Sequence, residues 1–170
     1  RCFFEHDADS KGATGVQVKG GSRGVSVRRC RFKNAGGRAI NLGGSTGADY
    51  FRPNDARAEA SSLQVEDCLF EGSLAPLAFV GVDGAMVRNN TILEPRRWIV
   101  RILQENMAPH LARCREGYFQ HNFVAFRSSN LAMPLNIGPS TEPQTFRFID
   151  NEWLCLDGSP SQDKLLPFSI

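Results

Sequence analysis

Two carboxylates in the sequence could act together on a glycosidic bond. Asp83 and Glu105 each come just after a short apolar segment, and those two segments hold equivalent places in the chain. Hydrolysis of a glycosidic bond requires two carboxyl groups roughly 5 to 9.5 Å apart. We therefore take Asp83 and Glu105 as the candidate catalytic pair for hydrolysis, with Glu59 in reserve.

A second set of side chains is rich in arginine and would suit elimination on a uronic-acid polymer. That reaction needs cations that neutralise the sugar carboxylate and a base that removes the proton at C5. Arg52, Arg97 and Arg101 are candidates for the first role, and Arg101 or His110 for the second. An arginine base needs an unusual environment, because the guanidinium pKa lies above about 12. Neither set completes a catalytic signature, and each side chain has a simpler interpretation as a solubilising surface charge.

The elements that must position these residues repeat along the chain. The repeated pattern is an apolar residue, two mostly polar residues, Cys or Asn, any residue and a large apolar residue, as in Val87–Ile92. The Cys or Asn position recurs at Cys2, Cys30, Cys68, Asn90, Asn122 and Asn151. Intervals of 22 to 38 residues indicate a compact unit that tolerates loop insertions. One such unit cannot bury its apolar face alone, so neighbouring units must stack.

A second strand-like segment follows each pattern. Its apolar residues alternate about one middle residue, which is the period of a strand with one buried face. These segments are Val16–Val18, Ile40–Leu42, Leu77–Phe79, Val100–Ile102 and Leu135–Ile137. A solenoid is favoured over an antiparallel sandwich, because the same turn residue recurs and hairpin turns such as Asn-Gly are not well placed. For Arg96–Asn106 a helix is the alternative, since Trp98, Ile102 and Glu105 have helix-like spacing.

The signature Val-x-x-Asn-x-Ile/Phe with Gly-punctuated strands is similar to the right-handed parallel β-helix repeat of the pectate-lyase-like superfamily, from Cys2 to about Trp153. Ala39–Gly47 and Tyr50–Pro53 resemble uncharacterised secreted bacterial members. The resemblance implies an all-β fold, a single parallel β-helix domain over residues 1–170 with about five to six coils. It also implies three sheets, with the Asn ladder between the second and third and the five strand-like segments in the first.

The resemblance implies a polysaccharide partner. The leading expectation is a lyase or glycoside hydrolase acting on an acidic or hydroxyl-rich polymer, and the alternative is a noncatalytic carbohydrate-binding or cell-surface structural module. Whether the chain is an enzyme stays open. A secreted, periplasmic or cell-surface location is expected. Because the chain opens at Arg1 without a leader, we expect a fragment of a longer protein, whose exposed ends could associate end to end.

Stacking would bring the middle residues of the first-sheet strands into one outward column. That column reads Gln17, Asn41, Ala78, Arg101 and Asn136. The long connections Gly43–Ser62 and Gln104–Gly117 flank the short one at Gly81–Gly84, which predicts a groove with a notch. The expected substrate-binding residues are Asn41, Arg52, Glu59, Arg97 and Asn136.

The composition of the chain argues against two classes of partner, nucleic acid and membrane. The formal net charge is +2 and no long Lys/Arg block occurs, which argues against nucleic acid. No run of about 18 apolar residues is present, so we expect no membrane insertion.

The spacing of His and Cys supports no zinc site. Asp7–Gly12 starts like a calcium loop, but Lys11 and Val18 do not fit its ligand positions, so neither metal nor cofactor is predicted.

Five cysteines allow two interpretations. Cys2, Cys30 and Cys68 occupy successive repeat positions and are expected to form a stack of buried, reduced thiols. A disulfide between Cys114 and Cys155 is the open alternative for the other two.

Overall fold

The computed structural model describes residues 1–7, 12 and 14–158, and β-strands dominate this part of the chain. Sheet 1 consists of β2 Thr14–Val18, β6 Arg38–Gly43, β9 Ala75–Val80, β12 Val100–Leu103 and β15 Leu135–Ile137. Sheet 2 consists of β3 Ser22–Arg23, β4 Ser26–Arg28, β7 Ala60–Glu66, β10 Val82–Arg88, β13 Arg115–Gln120 and β16 Arg147–Ile149. Sheet 3 consists of β1 Phe3–Glu5, β5 Arg31–Lys33, β8 Leu69–Glu71, β11 Thr91–Leu93, β14 Phe123–Phe126 and β17 Glu152–Cys155.

The helical content of the described residues is confined to short 3-10 turns. They span Ala48–Tyr50, Ser128–Asn130 and Pro143–Thr145. None of these turns has the length or apolar character needed to cross a bilayer. Residues 8–11, most of the segment that starts like a calcium loop, lie outside the described part of the chain.

All pairings between the described strands are parallel, and in each sheet the strand order follows the chain. Successive repeats therefore add strands to all three sheets, and one repeat contributes two short strands, β3 and β4, which both pair with β7 in sheet 2. The prediction of stacked, mostly β repeats is confirmed. The helical alternative for Arg96–Asn106 is wrong, because Val100–Leu103 pairs with β9 and β15 and backbone pairing outweighs a short helix-like spacing.

The predicted Cys/Asn positions form a file at the turn from sheet 2 to sheet 3. The Oδ1 atom of each Asn accepts a hydrogen bond from the preceding turn: Cys68 N to Asn90 at 2.9 Å, Asn90 N to Asn122 at 3.0 Å and Asn122 N to Asn151 at 2.9 Å. Cys30 N reaches the sulfur of Cys68 at 3.4 Å. These side chains satisfy buried backbone donors that water does not reach.

The residue before each of these positions has a left-handed backbone. Its φ lies between 48° and 55° at Arg29, Asp67, Asn89, His121 and Asp150. One left-handed residue turns the chain sharply between two strands. The turn thus has the same shape in successive repeats whether its ladder residue is Cys or Asn.

Aromatic side chains stack along the inner face of sheet 3. The rings of Phe4 and Phe32 are 4.8 Å apart, and those of Phe32 and Phe70 are 4.9 Å apart with nearly parallel planes. Ile92 and Val124 continue the file in register. Buried residues of all three sheets belong to one apolar cluster. Complete burial of each large side chain contributes about 1.5 to 3 kcal/mol.

Sheet 2 bends at one level in successive strands. Gly24, Ser62, Gly84 and Glu116 are left-handed, with φ of 68°, 55°, 81° and 54°. In the pairing of β7 with β10, Ser62 and Gly84 fall between two paired positions. The two glycines fit such a position without strain, whereas Ser62 and Glu116 carry no sequence signal for it.

All five cysteines are free. The open alternative of a Cys114–Cys155 disulfide is therefore wrong; Cys114 is fully buried and Cys155 only half-buried. The expected stack of buried thiols is correct for Cys68, while Cys30 is half-buried and Cys2 is exposed. Cys2 belongs to the first described repeat.

Candidate functional site

The predicted column on sheet 1 is present. Pairing aligns Gln17 with Asn41, Asn41 with Ala78, Ala78 with Arg101 and Arg101 with Asn136. The expected exposure of the column is only partly correct. Asn41 is 2% exposed and Ala78 is 0% exposed, whereas Arg101 and Asn136 are half-buried. Asn41 accepts a hydrogen bond from Arg38, and Ala78 belongs to a small apolar cluster with Val80 and Leu103.

A groove lies over sheet 1. Its volume is about 320 Å³ and its walls include Gln17, Arg38, Asn41, Trp98, Arg101 and Glu105. Four of the six residues carry a charge or an aromatic ring. The groove brings together the start of β6, at Arg38, and the residues on either side of β12, at Trp98 and Glu105. These segments are distant in the sequence and meet because the repeats stack.

Arg38 is held by two partners. Its Nη1 donates to Oδ1 of Asn41 at 3.1 Å and its Nη2 donates to Oε1 of Glu105 at 2.6 Å. Asn41 is itself oriented, because its Nδ2 donates to Gly43 O at 3.3 Å. Gly43 has a φ of 100°, and a Cβ there would overlap Val80 O, so this position requires glycine.

Arg101 lies beside a tryptophan. Its Nε donates to Oδ1 of Asn136 at 2.9 Å, and its guanidinium carbon lies 4.1 Å from the ring centre of Trp98. Arg97 also lies over that ring, at 4.6 Å. Burial lowers the pKa of Arg101 first, and the positive charges of Arg38 and Arg97 lower it further, while Glu105 opposes them. The shift has the direction that a base requires.

The structure does not leave a notch between the two long connections. Glu59 is 0% exposed and accepts hydrogen bonds from Thr46 N at 2.9 Å, Thr46 Oγ1 at 2.6 Å and Asn106 Nδ2 at 2.6 Å. The backbone of Ala112 also bonds to Arg57 O at 2.6 Å. The two loops therefore meet across the short connection at residue 81 and close it. Glu59 joins the loops and does not face the groove.

The candidate carboxylate pair has separate partners. Asp83 is in β10 of sheet 2 and accepts two hydrogen bonds from Arg115, both at 2.9 Å. Glu105 follows β12 of sheet 1 and pairs with Arg38. Asp83 is not among the residues that line the groove. The two carboxylates thus serve different surfaces of the molecule.

Arg52 and His110 also lie elsewhere. The Nη1 of Arg52 donates to Asp49 O at 2.9 Å and to Asn54 Oδ1 at 3.1 Å, so this side chain organises its own loop. The ring of His110 meets Phe51 edge-on, with 6.1 Å between centres. Neither residue lines the groove.

The sequence did not predict two of the charged or aromatic residues that line the groove, Arg38 and Trp98. Arg38 shares its alternation with the core residues Ile40 and Leu42, so the period of the strand gives no reason to place it beside Asn41. Trp98 entered only as part of a possible helix face. The available signal was position: each precedes a first-sheet segment by two residues.

Comparisons with known proteins identify no relative that indicates a function for this chain. Among residues 1–7, 12 and 14–158, no group of three or more His, Cys, Asp and Glu side chains is placed to hold a metal ion. No protein-family model matches the chain, and neither the curated proteins nor the solved structures give a significant match. The function is therefore inferred from the groove's own side chains.

Proposed function

We propose that the chain is a right-handed parallel β-helix of the pectate-lyase-like kind that binds an acidic polysaccharide along sheet 1. Support for the fold comes from three sheets with parallel pairing, from strand orders that follow the chain, and from the Cys/Asn file. Neighbouring strands in such sheets lie about 4.8 Å apart. A linear polymer along this axis would meet one repeat after another.

The charge of the groove is the observation that carries the proposal. Arg38 and Arg101 line the groove, and Arg97 lies beside them over the ring of Trp98 without lining it. Glu105 is the one carboxylate among the described residues that line the groove. Guanidinium groups bind carboxylates through paired, charge-assisted hydrogen bonds. The amide of Asn136 can bind sugar hydroxyls beside them. This pattern suits a uronate better than a neutral sugar.

Elimination is the reaction that this pattern favours. Arg38 and Arg97 bind the sugar carboxylate and stabilise the negative charge that develops on it. Arg101 gives a proton to the solvent, and its guanidine then accepts the proton from C5. The electron pair of that C–H bond forms the C4–C5 double bond, and the bond from C4 to the glycosidic oxygen breaks. That oxygen takes a proton from water, and Arg101 is again protonated.

A noncatalytic carbohydrate-binding module is the second candidate. It is favoured by the separate partners of Asp83 and Glu105, and by the way Arg101 is held by Asn136 and Trp98 as a fixed cation. Both candidates act on an extracellular polymer, so we propose that the protein is secreted, periplasmic or on the cell surface.

The test uses uronate and neutral polysaccharides in parallel. Elimination produces the ultraviolet absorbance of an unsaturated uronate, hydrolysis produces new reducing ends without it, and binding alone supports the module. Arg101→Lys keeps the charge and removes the planar guanidinium, so it should abolish elimination while the protein stays folded. Arg127→Lys, in an ion pair with Glu94 away from the groove, is the matched control. Absence of binding to every uronate polymer would overturn the proposal.

A further inference from the structure

The carboxylate of Glu105 forms an ion pair with Arg38, a cation that lines the groove. Its Oε1 lies 2.6 Å from Nη2 of Arg38, a short charge-assisted contact. The side chain of Glu105 is 37% exposed and that of Arg38 is 21% exposed. A carboxylate in this position has the chemistry of a uronate group on the proposed polymer.

We infer that Glu105 determines the specificity of the groove by holding the place on Arg38 that a ligand carboxylate takes, so that an anionic ligand displaces it and a neutral ligand does not. This inference rests on the proposed function. It adds which atom the ligand carboxylate meets and what leaves when it arrives.

The two partners differ in how firmly they are held. Arg38 is the first residue of β6 and is fixed by Asn41, which is buried and bonded to Gly43 O. Glu105 lies beyond the end of β12, and Arg38 is its hydrogen-bond partner among the described residues. Glu105 can therefore swing away while Arg38 stays in place.

Displacement changes the charge of the groove. With Glu105 in place, one carboxylate offsets part of the charge of Arg38 and Arg101. When Glu105 turns to solvent, the positive charges of Arg38 and Arg97 act on Arg101 without that offset unless another anion replaces it. A ligand carboxylate restores the balance, whereas a sugar hydroxyl or a methyl ester cannot. The exchange thus penalises neutral ligands.

The experiment compares an oligogalacturonate with its fully methyl-esterified form. Affinities of both are measured by titration calorimetry for the wild type, for Glu105→Gln and for Glu94→Gln. Glu94 pairs with Arg127 at 2.9 Å on another part of the surface and is the matched control. Circular dichroism checks that each variant is folded, and Glu105→Ala serves as a second variant at the same position.

Glu105→Gln should bind the acid oligomer about two- to fivefold more tightly, because the removed ion pair is a partly exposed one. Glu94→Gln should match the wild type. Unchanged or weaker binding by both Glu105 variants would overturn the inference while wild-type binding of the acid oligomer still supports the proposed function. If neither the wild type nor the variants bind the acid oligomer, both proposals fail.

Discussion

Two donors of Asn90 converge on one atom of Asn122. The backbone N of Asn90 lies 3.0 Å from Oδ1 of Asn122, and the Nδ2 of Asn90 lies 2.9 Å from the same oxygen. The remaining proton of that amide goes to Val65 O at 3.2 Å. One side chain thus ties its own repeat to both neighbours, and the tie is buried from water.

Asn90→Leu should lower the free energy of unfolding by about 1 to 3 kcal/mol, because buried backbone groups lose their partners. The unpaired groups are Cys68 N and Val65 O. Urea denaturation followed by circular dichroism measures the change. Asn151→Ala is the graded control, since Asn151 is only half-buried at the outer described repeat. A loss no larger than that of the control would contradict a supporting role for the file.

Glu59→Gln should destabilise the protein by about 1 to 3 kcal/mol, because an amide places a donor where Thr46 and Asn106 already donate. The contacts at risk are those of both loops with the Glu59 carboxylate. Hydrogen exchange should increase in residues 44–59 and 104–114 together. Glu152→Gln, at an exposed position of β17, is the control. Faster exchange in one loop alone would show that the carboxylate does not join them.

Cys114 should react with iodoacetamide far more slowly than Cys2 at mildly alkaline pH. Burial raises the pKa of the Cys114 thiol to about 11, against an ordinary value of 9.0, and Cys2 is exposed. The neutral buried thiol stabilises the fold below pH 9, and this contribution is lost as the pH rises toward the folded pKa. Peptide mass spectrometry with and without denaturant measures the labelling. Equal rates in the native protein would refute the burial of Cys114.

Asp157 should make the segment at residues 128–130 sensitive to acid. Hydrogen bonds from the hydroxyl and the backbone N of Ser129, and from Ser128 N, hold the pKa of Asp157 well below its ordinary value of 3.8. Because the folded-state pKa is lowered, the ionised carboxylate contributes stability that is fully present above the ordinary pKa of 3.8. That contribution is lost as the pH falls through the lowered folded-state pKa.

The measurement for Asp157 is thermal unfolding between neutral pH and pH 2. Asp157→Asn should reduce the melting temperature at neutral pH, and the difference from the wild type should shrink as the pH falls. A difference that stays constant with pH would mean that the carboxylate charge has no part in holding the segment.

The sequence predicted the strands and turns well because their signals repeat. Asn90, Asn122 and Asn151 each carry the same local pattern, and stacking follows from it without knowledge of any distant contact. The column through Arg101 and Asn136 follows from the alternating apolar segment that recurs in each repeat, although its distance from the turn differs between repeats.

The groove and the loops were predicted less well because their contacts do not repeat. Glu59 bonds to Asn106, and this contact joins two insertions at irregular positions of different repeats. Asp83 and Arg115, by contrast, are aligned residues of the paired strands β10 and β13. Spacing indicates which residues share a height but not which loop folds over which strand. Arg38 was missed for another reason, because it shares the alternation of the core residues Ile40 and Leu42 and yet bonds to Asn41.

The contact between Glu59 and Asn106 also governs how the molecule can be altered. Replacing residues 44–59 with a loop from another protein would remove Glu59, the carboxylate that accepts a hydrogen bond from Asn106. Replacing residues 104–114 would leave the buried Glu59 carboxylate with fewer hydrogen-bond donors. The two insertions thus form one structural unit, although they belong to separate repeats of the sequence. Diversification of this face should proceed by paired substitutions in both halves.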